Sequence, residues 1–166
     1  MTRSSPSDAA PAPAEALAEL LDTSQSLVMA FVDEAGRPHV SHLPFAWIDS
    51  GFFVWVSSLA EHSGPLRRGS PVEVMILADE ARTPQVYARR RASWQCSVHA
   101  VTDAAVVEAG LDALRARHGE VVSLLAGLSD FRGFRLEPGE GRLVLGFAQA
   151  YSLAGLSVES GPITGR

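Results

Sequence analysis

After an opening segment rich in Pro, Ala and Ser, the chain sets Leu17, Leu20 and Leu21 on one face of a helix at a spacing of three and four. The period then changes. An apolar run at residues 27–32 is followed by Glu34-Ala35-Gly36-Arg37 and by a stretch in which His39, Ser41 and Leu43 oppose Val40 and His42. Two such runs around a polar, glycine-containing turn predict a β-hairpin. A second turn, Asp49-Ser50-Gly51, leads into Phe52-Phe53-Val54-Trp55-Val56, whose aromatic and β-branched content predicts a pleated, half-buried strand. Beyond Ser57, Ser58-Leu59-Ala60-Glu61 has the S-x-x-E spacing of a capping box, so a short helix is predicted from there to near Arg68.

The second half repeats the alternation of strand and helix signals. Residues 71–77 read as a strand and residues 79–84 as a polar loop. Across residues 87–101, Ala92, Trp94, Cys96, Val98 and Ala100 fall on one face and Ser93, Gln95, Ser97 and His99 on the other, which predicts a long strand with one core face. Val107, Leu111 and Leu114 form a helical stripe over residues 103–117, Gly119 is a stop signal, and residues 120–128 continue as a second short helix. Residues 131–153 return to sheet, with 133–136 and 142–145 flanking Glu137-Pro138-Gly139-Glu140-Gly141 as a predicted hairpin. No internal repeat is present. Six or seven short strands with inserted helices predict a mainly β chain closed as an antiparallel barrel, because closure removes exposed edges. A Rossmann sheet is disfavoured, since no G-x-G-x-x-G opens a helix.

Composition narrows the chemistry. At 166 residues and 46% hydrophobic, the chain suits one domain or one protomer of a dimer. The expected division is a disordered tail at 1–12, a barrel domain at 13–156 and a C-terminal tail at 157–166. All fourteen basic residues are Arg, which excludes a Lys Schiff base, a P-loop Lys and a Ser-Lys pair. A net charge of −5 argues against nucleic acid as a partner. No apolar run approaches the roughly 18 residues of a membrane span. Glu15, Glu19 and Asp22 give the first helix the wrong sign for anionic lipid. The N-terminus lacks the charged-then-apolar form of a secretory signal, so cytoplasmic residence is expected. Cys96 is the lone cysteine and reads as a buried small hydrophobe. Ser41, His42 and Asp49 lie close in sequence, but strand neighbours point apart and no G-x-S-x-G elbow exists, which disfavours a hydrolase triad.

Three blocks carry a resemblance to a known family. GRPHVSHLPFAW with FFVWVSSLAEHS, DEARTPQVYARRRASWQCSV, and SDFRGFRLEPGEGRLVLGFAQAYSL together resemble the pyridoxamine 5'-phosphate oxidase-like FMN-binding split barrels, in particular their haem-utilisation branch. The resemblance covers residues 27–153. It implies a homodimer with cofactor sites at the subunit interface, a small-molecule substrate, and flavin-dependent oxidoreductase activity with FMN. Haem binding and degradation, or a cofactor carrier without turnover, are the alternatives it leaves open.

The candidate site residues follow from this resemblance. It places a flavin phosphate at Ser57, Ser58, His62 and Ser63, where hydroxyls, amides and a protonatable ring can donate; the other reading is a capping box beside an exposed His62. Flavin-using oxidases of the family align an Arg-Lys pair with Glu61-His62, and a carboxylate there repels an anion. The backbone of His39, Val40, Ser41, His42 and Leu43 would face the flavin ring, or else form an ordinary strand; His39 and His42 fall on opposite faces and do not share a metal. Arg89, Arg90 and Arg91 point to an anion, either a flavin phosphate, a haem propionate or a partner carboxylate, with a solvated basic face as the plain alternative. Asp130 matches the branch's Asp, or braces a hairpin. The branch's tail His has no counterpart, since His118 is the last His of the chain.

Overall fold

Pro13 at the first helical position and a Glu15 carboxylate accepting from the Ala12 N–H at 3.3 Å start the first helix, α1 (Pro13–Thr23). The computed structural model describes residues 12–163; most of the predicted 1–12 tail lies outside them. Strands β1 (Ser26–Val32) and β2 (Pro38–Pro44) form the predicted hairpin, with Leu27 opposite Leu43 and Phe31 opposite His39. Asp33 accepts from the N–H groups of Ala35 and Arg37, both at 2.9 Å, and Gly36 takes a φ of 77°, which is how the turn closes. Then come β3 (Ala46–Ile48), β4 (Gly51–Ser57), α2 (Ser63–Arg67) and β5 (Val72–Leu77). They are followed by β6 (Arg91–Val101), α3 (Ala104–His118), α4 (Val121–Ala126), β7 (Phe131–Gly146), β8 (Gln149–Ala154) and β9 (Ser157–Ser160).

Among the described residues the nine strands form one antiparallel sheet in the order β2-β1-β5-β6-β7-β4-β3, with β8 on β7 and β9 on β8. Met29, Phe52, Val74, Trp94, Leu136 and Leu143, from five of these strands, pack in one buried cluster, so the sheet curls around a common core. A second, smaller core lies on the other face of β4, where Phe53 meets Leu111, Leu114 and Val122 from the two helices. This explains FFVWV: the strand is buried on both faces over most of its length rather than half-buried, as continuous apolar runs are.

Four local expectations differ from the structure. The long strand begins at Arg91 rather than residue 87, because residues 86–88 make a 3₁₀ turn, and Ala100 is exposed. No helix starts at Ser58. α2 starts at Ser63 after His62, because Pro65 has no N–H to give an earlier helix its hydrogen bond and is accommodated only in a first turn. The expected C-terminal tail contains β9, whose Val158 pairs with Leu153. Residues 137–141 are not a turn: β7 runs unbroken for 16 residues, pairing with β4 in its first part and β8 in its second. Pro138 and Gly141 instead mark a register shift against β6, where a Cβ on Gly141 would lie 2.5 Å from the Trp94 ring. The hairpin turn lies at Phe147-Ala148, between β7 and β8.

Candidate functional site

A cavity of about 670 Å³ lies where α3 and α4 cover β4, within the size range of ligand pockets. Its walls are Trp55 from β4, Leu114 from α3, Val121, Val122 and Leu125 from α4, and Phe131 from β7. Alternation along β4 decides this: Phe52, Val54 and Val56 belong to the barrel core, leaving Phe53 and Trp55 for the helical layer. Trp55 stacks with Phe131 at 6.5 Å and donates from Nε1 to the Leu125 carbonyl at 3.3 Å, which ties α4 to the strand.

Polar groups enter from His42, Ser57, His62, Arg117 and His118. Ser41 Oγ lies 3.0 Å from His62 Nδ1, and His62 Nε2 is buried without a partner. Burial pushes the ring down from its ordinary value of 6.5, and the neighbouring Glu61 charge pulls the other way. His62 is therefore held as a neutral imidazole, half-buried rather than exposed. Ser57 donates to Asp130 Oδ2 at 2.5 Å, and the Ser58 N–H donates to the Asp130 carbonyl at 2.8 Å, so Asp130 braces the end of β4. Ser63 donates to the Ser58 carbonyl at 2.9 Å. The hydroxyls of Ser57 and Ser63 thus hold their own turn together.

His39 lies apart from this cavity. It stacks on Phe31 at 5.3 Å and sits between Asp33 at 3.1 Å and Glu61 at 2.8 Å. Glu61 therefore turns to His39 and not to the helix amides a capping box requires. Asp33, whose carboxylate accepts from the Arg37 N–H, is held well below the usual carboxylate range. Val40 is exposed on the strand between them.

The arginine run is engaged locally. Arg89 donates to the Ala78 carbonyl at 2.7 Å and to Glu80 at 2.8 Å, Arg90 to Glu19 at 3.1 Å, and Arg91 to the Arg89 carbonyl at 3.0 Å. Arg90 lines a separate polar depression with Glu19, Asp79 and Arg82. The chain accordingly brings His42, Ser57 and His62 to one cavity and does not bring Arg89, Arg90 or Arg91 there.

Trp55, Leu125, Phe131, Arg117 and His118 were not legible as site residues. The only trace in the sequence is that the short helix carries apolar residues all round, with Leu124 on its exposed side. His118 donates from Nε2 to the Phe45 carbonyl at 3.0 Å. Arg117 caps the end of α1 through the carbonyls of Leu21 and Asp22, both at 3.3 Å, and of Ser24, with its guanidinium 5.0 Å over the Phe45 ring. Buried Cys96 is inert, its thiol pushed up to about 12 by burial. No helix among the described residues is long and apolar enough to cross a membrane, and no three of their His, Cys, Asp or Glu side chains are grouped to hold a metal ion.

Comparison with known proteins agrees with this architecture. The chain matches the pyridoxamine 5'-phosphate oxidase family over residues 13–145. It is 35% identical over 138 residues to the haem oxygenase HutZ of Vibrio cholerae, spanning 82% of this chain and 78% of that protein. The crystal structure of HutZ, described as the haem storage protein of Vibrio cholerae, superposes with a TM-score of 0.73 at 30% identity, covering 79% of this chain and 94% of that one. Campylobacter jejuni ChuZ shares the fold with a TM-score of 0.78 at 23% identity, covering 90% of this chain and 65% of that one. With its antiparallel split barrel and these relatives, the chain belongs to the pyridoxamine 5'-phosphate oxidase-like family, in the haem-utilisation branch.

Proposed function

We propose that this protein binds haem in the cavity between β4 and the α3–α4 layer and acts in haem handling. The observation that carries the reading is His62 on the cavity wall: Ser41 engages Nδ1, while Nε2 is buried without a partner. In the tautomer whose Nδ1–H donates to Ser41 Oγ, the Nε2 lone pair is unpartnered, which is the preparation of a metal-ligating imidazole. Its Nε2 is shut off from water, so a ligand reaches it only by displacing what covers it. His42, exposed and without a hydrogen-bond partner among the described residues, is the second imidazole at the cavity. Haem bound there would supply the redox chemistry, and the chain's own groups would orient it, exclude water and hold protons. Asp130 and Ser57 keep the turn that carries His62 in place.

FMN, the first expectation, is less well supported. A phosphate at the turn needs free donors, yet the hydroxyls of Ser57 and Ser63 are already donating within it, and Glu61 adds negative charge. The similarity to HutZ also favours haem. We further propose that two copies associate: Leu59, Val121 and Leu124 are 87%, 52% and 74% exposed on the segments that border the cavity, and a second copy covering them would remove that apolar surface from water.

Hemin titration tests the reading. Wild-type protein is expected to give a saturable shift of the Soret band, and His62→Ala to weaken binding by tenfold or more while keeping its circular dichroism. An unshifted Soret band would reject haem.

A further inference from the structure

The cavity wall holds basic side chains and no acidic one. Of the sixteen residues lining it, His42, His62, Arg117 and His118 carry imidazole or guanidinium groups, and none is Asp or Glu. The carboxylates nearest in the bonding network are turned elsewhere: Asp130 accepts from Ser57, and Glu61 meets His39. The Arg117 charge faces no anion, since its partners are three backbone carbonyls and the Phe45 ring, and its Nε is buried without an acceptor. A partly buried guanidinium without an anionic partner is a standing attraction for one. His118 adjoins it. A carbonyl oxygen can only accept, so His118 Nε2 must carry the proton donated to Phe45, leaving Nδ1 as the nitrogen available to a ligand. In the imidazolium form that Nδ1–H donates.

We propose that the cavity selects a hydrophobic ligand bearing a carboxylate, with Arg117 and His118 receiving the carboxylate while Trp55, Leu125 and Phe131 receive the apolar body. This rests on the haem reading and deepens it: the group is then a propionate of the porphyrin, and the site distinguishes a carboxylated macrocycle from a neutral one. Iron plays no part in that distinction, so the probes are metal-free.

The experiment compares protoporphyrin IX with its dimethyl ester, which keeps the ring and removes both negative charges, by porphyrin fluorescence on the full chain. The acid is expected to bind about tenfold or more tightly than the ester, the size of one charge-assisted contact. His118→Gln, which retains an N–H able to meet the Phe45 carbonyl, is expected to narrow that gap at least threefold without changing the circular dichroism. Equal affinity for acid and ester in wild type, or a gap undiminished in His118→Gln, overturns the assignment even where hemin binds. If neither hemin nor protoporphyrin IX binds, the haem reading falls and takes this inference with it.

Discussion

His62 and His39 stand 23 residues apart in sequence and take opposite roles through their surroundings. His39 is flanked by the carboxylates of Asp33 and Glu61, whereas burial pushes the His62 ring toward its neutral form. The sign of the His62 effect on stability follows. Its pKa is depressed in the fold, so the unfolded chain binds the proton first as pH falls below 6.5. The native state therefore has its full stability above 6.5 and loses part of it as pH falls from there toward the folded-state pKa. Urea unfolding at pH 7.5 and at pH 5.5 is expected to show a larger drop for wild type than for His62→Gln; equal drops would mean that the ring is not held neutral. At this scale His62 and the hydroxyls of Ser57, Ser58 and Ser63 could be read together from the sequence because they lie in one short segment. It could not show that Glu61 turns to His39, since that pairing crosses from the turn to a different strand.

Among the elements, α3 approaches β4 closely enough that Gly110 has no room for a side chain: a Cβ would lie 2.5 Å from the Phe53 ring, itself fully buried. A mid-helix glycine costs about 1 kcal/mol relative to Ala, and close contact with Phe53 is what makes it worthwhile. Gly110→Ala is expected to destabilise the protein despite better helix propensity, since overpacking a buried contact costs about 1–3 kcal/mol. A rise in the denaturation midpoint would show that the helix can move away from the sheet. The hairpin at residues 26–44, α3 with its Gly119 stop, and most of the core face of β6 were legible, because local period and the stop signal specify them, while the Asp103 cap of α3 is seen only in the structure. The unbroken β7 was not. Pro138, Gly139 and Gly141 carry the composition of a turn, and only the neighbouring Trp94 ring and the β6 register explain why they lie in a strand. The turn at Phe147-Ala148 carries almost no turn signal, so its position depends on pairing between β7 and β8.

For the whole molecule, the barrel was legible from the number and spacing of strands, whereas the cavity was not, since it is assembled from β2, β4, α3, α4 and β7. Arg90 lines one cavity of the chain and Ser57 another, so the expected cluster of arginines with the serine turn does not form within a single chain; association with a second copy is proposed on other grounds. Exposed Leu59 and Leu124 beside the cavity make that association the natural way to shield its border. The proposed molecule is a chain that holds haem at a site bordered by a second copy of itself. Sedimentation velocity with hemin, followed in the Soret band, tests both parts together. Soret absorbance is expected to move in a single boundary at the mass of a dimer, with one hemin per chain. Soret absorbance left behind at the rate of free hemin, while the protein sediments without it, would contradict it.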